Sequence, residues 1–150
     1  MSTHAMSHGE TQMRRYQYGV TLLELMIVVA IVSILTTIAY PNYRQYVLRS
    51  KRADAKIALQ QNAQGLENCF TRFHSYSDAG CAIAVTLGGA GVASPDGNYN
   101  VTGAVADATF TLTATPQSGQ VADSDCAVFT MDQSNVRGVS GPKGVTECWR

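Results

Sequence analysis

The pattern of hydrophobic and polar positions along the chain begins with one long apolar segment. Residues Val20 to Tyr40 read VTLLELMIVVAIVSILTTIAY, 21 residues in which the one charged side chain is Glu24. A helix rises about 1.5 Å per residue, so this segment reaches about 32 Å and can cross a bilayer core of about 30 Å. No small-residue cleavage site of the secretory type follows it. The pattern therefore predicts a transmembrane helix.

A helical pattern continues after Pro41, but it is apolar on one face only. Pro41 itself predicts a kink or a local break, because proline removes a backbone donor and clashes with the preceding turn. The apolar positions recur mostly at spacings of three and four: Leu48, Ala55, Leu59, Ala63, Leu66, Phe70 and Phe73. The polar positions between them are Arg49, Lys51, Arg52, Asp54, Lys56, Gln60, Gln61 and Gln64. The sequence predicts one helix from about Thr21 to about Asn68, whose second half is amphipathic and packs on a soluble core.

The rest of the chain has the pattern of short strands. Gly, Ser, Asp, Thr and Val dominate after Phe73, and several segments alternate apolar and polar residues with β-branched enrichment. The predicted strands are Thr109–Thr115 and Cys126–Met131, with weaker candidates at Asn98–Val101 and Val136–Val139. Three or four antiparallel strands packed on the helix would make an α+β domain. The Gly-rich connection from Phe73 to Tyr99 predicts no fixed structure.

Composition and charge limit the function classes. The chain has 150 residues, 45% of them hydrophobic and 15% charged, which indicates one modest folded domain and no disorder. Its 11 basic and 11 acidic residues leave no overall positive field for nucleic acid. No Lys or Arg lies between Arg72 and Arg137. We therefore expect no nucleic-acid partner, although Arg137, Lys143 and Arg150 could still cluster.

The basic residues around the apolar segment indicate two opposite orientations. Arg14 and Arg15 precede the segment, whereas five basic residues follow it between Arg44 and Lys56. The positive-inside rule would place the C-terminal side in the cytoplasm. Four cysteines favour an oxidising compartment instead, so we expect a periplasmic C-terminal domain. We interpret Arg44–Lys56 as a solvated helix face, with lipid headgroups or DNA as the alternatives.

The four cysteines all lie beyond the apolar segment and predict two disulfides. Cys69 lies at the end of the predicted helix and Cys81 just beyond it, while Cys126 opens a strand and Cys148 lies beside the C-terminus. Of the three connectivities that four cysteines allow, we expect Cys69–Cys81 and Cys126–Cys148. No metal site is predicted, because no C-x-x-C occurs and His74 is the one histidine near a cysteine.

The residues around the start of the apolar segment resemble the processing signature of type IV prepilins. MRRYQYG ends in Gly19 and is followed by Val20, a Thr, two aliphatic residues and Glu24. The segments TFTLTATPQSGQ and CAVFTMDQSNVRGVSG and the terminal ECWR resemble the C-terminal region of minor pilins of the PilE kind. The resemblance implies that prepilin peptidase cuts between Gly19 and Val20 and N-methylates Val20. Because MRRYQYG alone has the usual leader length, we expect Met1–Gln12 to reflect a misplaced start site.

The resemblance also implies an architecture. It is the α+β type IV pilin fold, a long N-terminal helix packed on a small antiparallel β-sheet. We expect a cleaved leader at 1–19, a transmembrane and assembly half of the helix at 20–41, and a head at 42–150. The resemblance assigns assembly roles to Glu24 and Pro41. Glu24 would pair with the new amino group of Val20 on a neighbouring subunit, and such a buried pair serves to fix register.

The function implied by the resemblance is that of a minor pilin, required for pilus assembly and so for twitching motility and adhesion. The expected locations are the inner membrane and the extracellular pilus, and the expected partners are prepilin peptidase, other major and minor pilins and the membrane. No catalytic motif occurs, so we expect no enzyme activity, cofactor or small-molecule substrate. The alternatives are a major pilin, a type II secretion pseudopilin, a pilin head that acts as a DNA-uptake or surface receptor, and an uncleaved single-span membrane protein.

Overall fold

The computed structural model describes residues 19–150, and its first element is the long helix α1 (Leu22–Phe73). Thr21 caps this helix, because its Oγ1 accepts a hydrogen bond from the backbone N–H of Glu24 at 3.2 Å. The helix ends where His74 adopts a left-handed φ of 53°. It continues through Pro41, so the local break considered from the sequence is absent, and it extends five residues beyond the predicted end at Asn68.

The chain divides into two compact units between Tyr40 and Pro41. In residues 19–40 every side chain is exposed. The hydroxyls of Ser33, Thr36 and Thr37 donate to backbone carbonyls of the preceding turn at 2.7–2.9 Å, so they are satisfied without water. Among the described residues, α1 is the one helix that is long and apolar enough to cross a membrane.

The second unit, Pro41–Arg150, contains a five-stranded antiparallel sheet. Its strands are β1 (Val92–Ala93), β2 (Tyr99–Val105), β3 (Phe110–Pro116), β4 (Phe129–Asp132) and β5 (Arg137–Val139). Each strand pairs with its sequence neighbour, which gives the order β1-β2-β3-β4-β5. Two short helices, α2 (Ala82–Gly88) and α3 (Gly144–Cys148), and a 3-10 turn at Ser118–Ala122 complete it. The predicted α+β fold is confirmed.

The core of this unit lies between the second half of α1 and one face of the sheet. Ala55, Leu59 and Leu66 are fully buried on the helix, while Ala63 and Phe70 pack partly buried against the same core. The sheet contributes alternate residues of its strands, namely Tyr99 and Val101 on β2, Phe110, Leu112 and Ala114 on β3, and Phe129 and Met131 on β4. The predicted apolar stripe therefore faces the core over most of its length, and only its last residue, Phe73, is substantially exposed at 41%.

Two segments differ from their prediction. The connection from Phe73 to Tyr99 is ordered into α2 and β1, because a disulfide ties its start to α1 and Leu87 is buried in the core. The predicted strand at Cys126–Met131 begins only at Phe129. Ala127 has a left-handed φ of 51° and its N–H donates to the carbonyl of Asp123, so the chain turns before it enters the sheet.

Candidate functional site

The residues of the predicted processing site lie immediately before α1. Gly19 and Val20 are both exposed. Among the described residues, no further atom lies within 4 Å of the position that a Cβ on Gly19 would occupy. Glu24 occupies the first turn of α1, where a carboxylate is favoured by the helix dipole. Residues 1–18, and with them the leader and the alternative start at Met13, lie outside the described residues.

The four cysteines form two disulfides, Cys69–Cys81 and Cys126–Cys148, which is the pairing expected from their positions. The first joins the end of α1 to the start of α2. The second joins the turn before β4 to α3, and so ties the last residues of the chain to the sheet. The second bond positions the C-terminal segment for the surface described next.

Contacts in the head connect basic residues from distant parts of the sequence. Lys56 Nζ on α1 donates a hydrogen bond to the backbone carbonyl of Arg150, 94 residues away. The Arg137 guanidinium lies 4.9 Å from the centre of the Trp149 ring, a cation–π contact. Lys143 pairs with Asp125 at 2.9 Å. We name Lys56, Arg137, Lys143 and Arg150 the basic cluster.

The electrostatics of this surface show that its cations repel one another. Burial lowers the pKa of Lys56, and the positive charges of Arg52 and Arg137 lower it further. The hydrogen bond from Lys143 lowers the pKa of Asp125, with added attraction from Arg52 and Arg49. A surface on which several cations surround the half-buried carboxylate of Asp125 favours an incoming anion.

A buried ion pair beneath the basic cluster joins α1 to the chain before β4. Arg52 Nε and Nη2 each donate to the carboxylate of Asp123 at 2.7 Å, and the two side chains are 7% and 1% exposed. The hydrogen bond to Asp123 raises the pKa of Arg52 in spite of its burial. Gln120 donates to the hydroxyl of Tyr99 at 2.9 Å, and burial raises the pKa of Tyr99 to about 12. The prediction that Arg52 lies on a solvated face is therefore wrong.

Asp54 was also predicted on the solvated face and is also buried. Its carboxylate accepts four hydrogen bonds, from the Ser94 hydroxyl at 2.6 Å, from the backbone N–H groups of Asp96 and Asn98, and from the Asn98 side chain. Burial alone would raise the pKa of Asp54, but these donors outweigh it and hold the pKa below its ordinary value. The carboxylate fixes the turn between β1 and β2 to α1.

Comparisons with known families give two matches in succession along the chain. Residues 14–40 match the prokaryotic N-terminal methylation motif. Residues 41–130 match the family described as type IV minor pilin ComP, DNA uptake sequence receptor.

The chain is also similar to individual fimbrial proteins. It is 36% identical to the fimbrial protein EcpC of Eikenella corrodens over 112 residues, 73% of this chain and 69% of EcpC. It is 45% identical over 60 residues to the type IV major pilin protein PilA of Myxococcus xanthus, 40% of this chain. It is 44% identical over 57 residues to the type IV major fimbrial protein FimA of Dichelobacter nodosus, 38% of this chain. The chain spans 27% of PilA and 36% of FimA.

The long helix, apolar and then amphipathic, and the disulfide-tied meander define a class of membrane-anchored fibre subunits. The chain belongs to the type IV pilin family, with a ComP domain over most of its head. Pilins are structural subunits, so the family match agrees with the prediction that the chain is not an enzyme.

The ComP match points away from the expectation that nucleic acid is not a partner. That expectation rested on the spacing of charges along the sequence. Folding brings Lys56 on α1 against the C-terminal residue, and so assembles a local positive surface on a chain of zero net charge. The one signal in the sequence was the group Arg137, Lys143 and Arg150 near the C-terminus.

Proposed function

We propose that this chain is a minor type IV pilin whose head binds DNA through the basic cluster during DNA uptake. The observation that carries the proposal is the match of residues 41–130 to a family of DNA uptake sequence receptors. The basic cluster supplies the chemistry, because Lys and Arg side chains bind phosphates and release the counterions held around them. Because the chain has no net charge, we attribute DNA binding to this local group of cations, which includes the contact between Arg137 and Trp149.

The proposal includes the processing and location of the chain. Prepilin peptidase cuts between Gly19 and Val20 and N-methylates Val20, as the methylation motif at residues 14–40 supports. Residues 20–41 then anchor the subunit in the inner membrane, with residues 42–150 in the periplasm, and later pack in the fibre. There Glu24 pairs with the amino group of a neighbouring Val20, and Pro41 lies at the end of the packed half. Incorporation supports pilus assembly, twitching motility and adhesion.

A major pilin is the second candidate, because PilA and FimA carry that description. The PilA match extends over 40% of this chain and the FimA matches over 35% to 59% of it, whereas the ComP match extends over residues 41–130 and so over most of the head. The abundance of the chain in sheared fibres separates the two roles. A minor pilin is scarce beside another pilin, and a major pilin is the bulk protein.

The DNA proposal is tested on the full chain, purified in detergent, by fluorescence anisotropy with labelled double-stranded DNA at several salt concentrations. Arg137→Gln removes one cation of the basic cluster, and Arg72→Gln removes an equally exposed arginine near the Cys69–Cys81 disulfide. We expect Arg137→Gln to weaken binding severalfold and to reduce the slope of log affinity against log salt by about 0.9. Arg72→Gln leaves both unchanged. Equal effects of the two variants, or no binding by the unaltered chain, would refute the proposal.

A further inference from the structure

A second basic surface lies on another face of α1, at the start of the head. An open cleft of about 170 Å³ is lined by Tyr43, Arg44, Val47, Leu48, Lys51 and Gly119. Arg44 and Lys51 lie seven residues apart, which is two helical turns, so their side chains stack on one face of α1. The cleft therefore combines two cations and a tyrosine hydroxyl, three groups that donate hydrogen bonds to a phosphate.

This cleft is separate from the basic cluster. Arg49 and Lys56 are also seven residues apart, and they lie about 140° around the helix from Arg44 and Lys51 at 100° per residue. Arg49 acts on Asp125, and Lys56 binds the carbonyl of Arg150. One helix thus carries two basic stripes, of which only the second contributes a residue, Lys56, to the surface proposed for DNA.

The position of the cleft in the chain indicates what it meets. Tyr43 and Tyr46 follow the apolar segment within six residues and are 66% and 70% exposed. Exposed tyrosines beside an apolar span are typical of the membrane–water interface, where the ring is half immersed and the hydroxyl is wet. Helical side chains lean toward the N-terminus of their helix, so the long Lys51 side chain reaches back along α1 toward the apolar segment.

We propose that the cleft binds the headgroup phosphate of an anionic phospholipid of the membrane that holds the unassembled subunit. The charges are complementary, and the apolar segment before the cleft has the length of a bilayer core. The proposal also gives a role to the basic residues that the positive-inside rule counts against a periplasmic head. They bind lipid phosphates on the side of the membrane where the head lies.

The test compares two matched double variants of the full chain in detergent, with retained lipid measured by native mass spectrometry. Arg44→Gln/Lys51→Gln neutralises the cleft, and Arg49→Gln/Lys56→Gln neutralises the other stripe at the same spacing. We expect the first to weaken binding of phosphatidylglycerol by about 25-fold, because each of the two basic residues near an anionic surface contributes about a fivefold factor. Phosphatidylcholine binding stays unchanged. The second variant retains phosphatidylglycerol and loses affinity for DNA.

A milder variant distinguishes a loss of lipid binding from a loss of folding. Tyr43→Phe/Lys51→Gln keeps Arg44 and its contacts, and is expected to reduce phosphatidylglycerol retention severalfold while circular dichroism stays that of the unaltered chain. Equal loss of lipid in both matched variants would overturn the proposal in favour of general charge attraction. Loss of DNA binding with unchanged lipid binding in Arg44→Gln/Lys51→Gln would overturn it in favour of a larger DNA surface.

Discussion

Asp54 is a buried carboxylate whose four hydrogen bonds connect α1 to the turn before β2. The pKa of Asp54 in the folded state lies below its ordinary value of 3.8. The stabilisation it gives is therefore present above about pH 4 and is lost as the pH falls through the folded-state pKa. Acidification therefore destabilises the head through this side chain.

We expect Asp54→Asn to lower the free energy of unfolding by about 1–3 kcal/mol near neutral pH. The difference from the unaltered chain should shrink as the pH is lowered below about 4, because protonation then removes the Asp54 charge from the unaltered chain, and the Asp54→Asn variant never carries it. Urea unfolding of the full chain in detergent, repeated from pH 3 to pH 7, measures this difference in the free energy of unfolding. Asp96→Asn, at an exposed position beside the same turn, is the control. A difference that stays constant with pH would contradict the role of the charge.

Arg52 and Asp123 form a buried pair whose members depend on each other. Arg52→Met leaves the carboxylate of Asp123 buried without its partner, and we expect a loss of about 3–5 kcal/mol in the free energy of unfolding. The double variant Arg52→Met/Asp123→Leu removes both charges and should recover most of that loss, because apolar side chains suit a buried site. Denaturant unfolding of both variants measures how much free energy of unfolding the second substitution recovers. No recovery in the double variant would contradict the pairing argument.

Arg52 and Asp54 also show the limit of prediction at the residue scale. The helical period correctly predicted that Leu59 and Leu66 are buried, because apolar side chains on an amphipathic helix face the core. The same logic placed Arg52 and Asp54 in water. Their burial depends on partners supplied by Ser94, Asn98 and Asp123, which lie far away in the sequence, so no local pattern could have revealed it.

At the scale of elements, the Cys126–Cys148 disulfide holds the segment that carries Trp149 and Arg150. The indole N–H of Trp149 donates to the carbonyl of Gly138 at 3.2 Å, which adds a second attachment to β5. We expect Cys126→Ser/Cys148→Ser to weaken DNA binding severalfold, because the end of the basic cluster loses its fixed position.

The matched control for this prediction is Cys69→Ser/Cys81→Ser, which opens the other disulfide. Both variants should lose about 2–5 kcal/mol of stability, but only the first should lose DNA affinity, measured by anisotropy well below the unfolding temperature. Equal losses of affinity would mean that the disulfides act through stability alone.

The elements themselves were predictable where their pattern was continuous. The alternation of Thr109–Thr115 predicted β3, which spans Phe110–Pro116, and the long helical period predicted α1 to within a few residues of its ends. The helix α2 and the strand β1 were not predicted. Both are short, and both depend on attachment to α1 and β2, which a Gly-rich segment does not reveal.

At the scale of the whole molecule, the proposed processing at Gly19 would precede the entry of the chain into a fibre. We expect intact mass and N-terminal sequencing to find N-methyl-Val20 as the first residue when prepilin peptidase is present, and an uncleaved chain when it is absent. Gly19→Val should give the uncleaved chain in both samples, whereas Gly97→Ala, in the turn of the head, should be cleaved normally. An uncleaved chain in the presence of the peptidase would contradict the proposed processing.

The basic cluster shows why the candidate site could be predicted only in part. The methylation signature was recognisable without a structure, because its residues are contiguous from Gly19 to Glu24. The surface proposed for DNA joins α1 to the last residue of the chain, and this contact spans 94 positions. The net charge cannot reveal such a contact, because it is a sum over all residues and carries no information on where they lie in space.

The two disulfides also determine how the head would respond to mechanical force. When the chain is pulled from α1 and from its C-terminus, the residues inside each disulfide loop carry no load. The stretch from Cys81 to Cys126, which contains β1, β2 and β3, is then the main source of extra contour length. A force applied through DNA at the C-terminal segment would reach the sheet through the Cys126–Cys148 bond. The residues between these two cysteines would not extend, whereas the stretch from Cys81 to Cys126 would unfold.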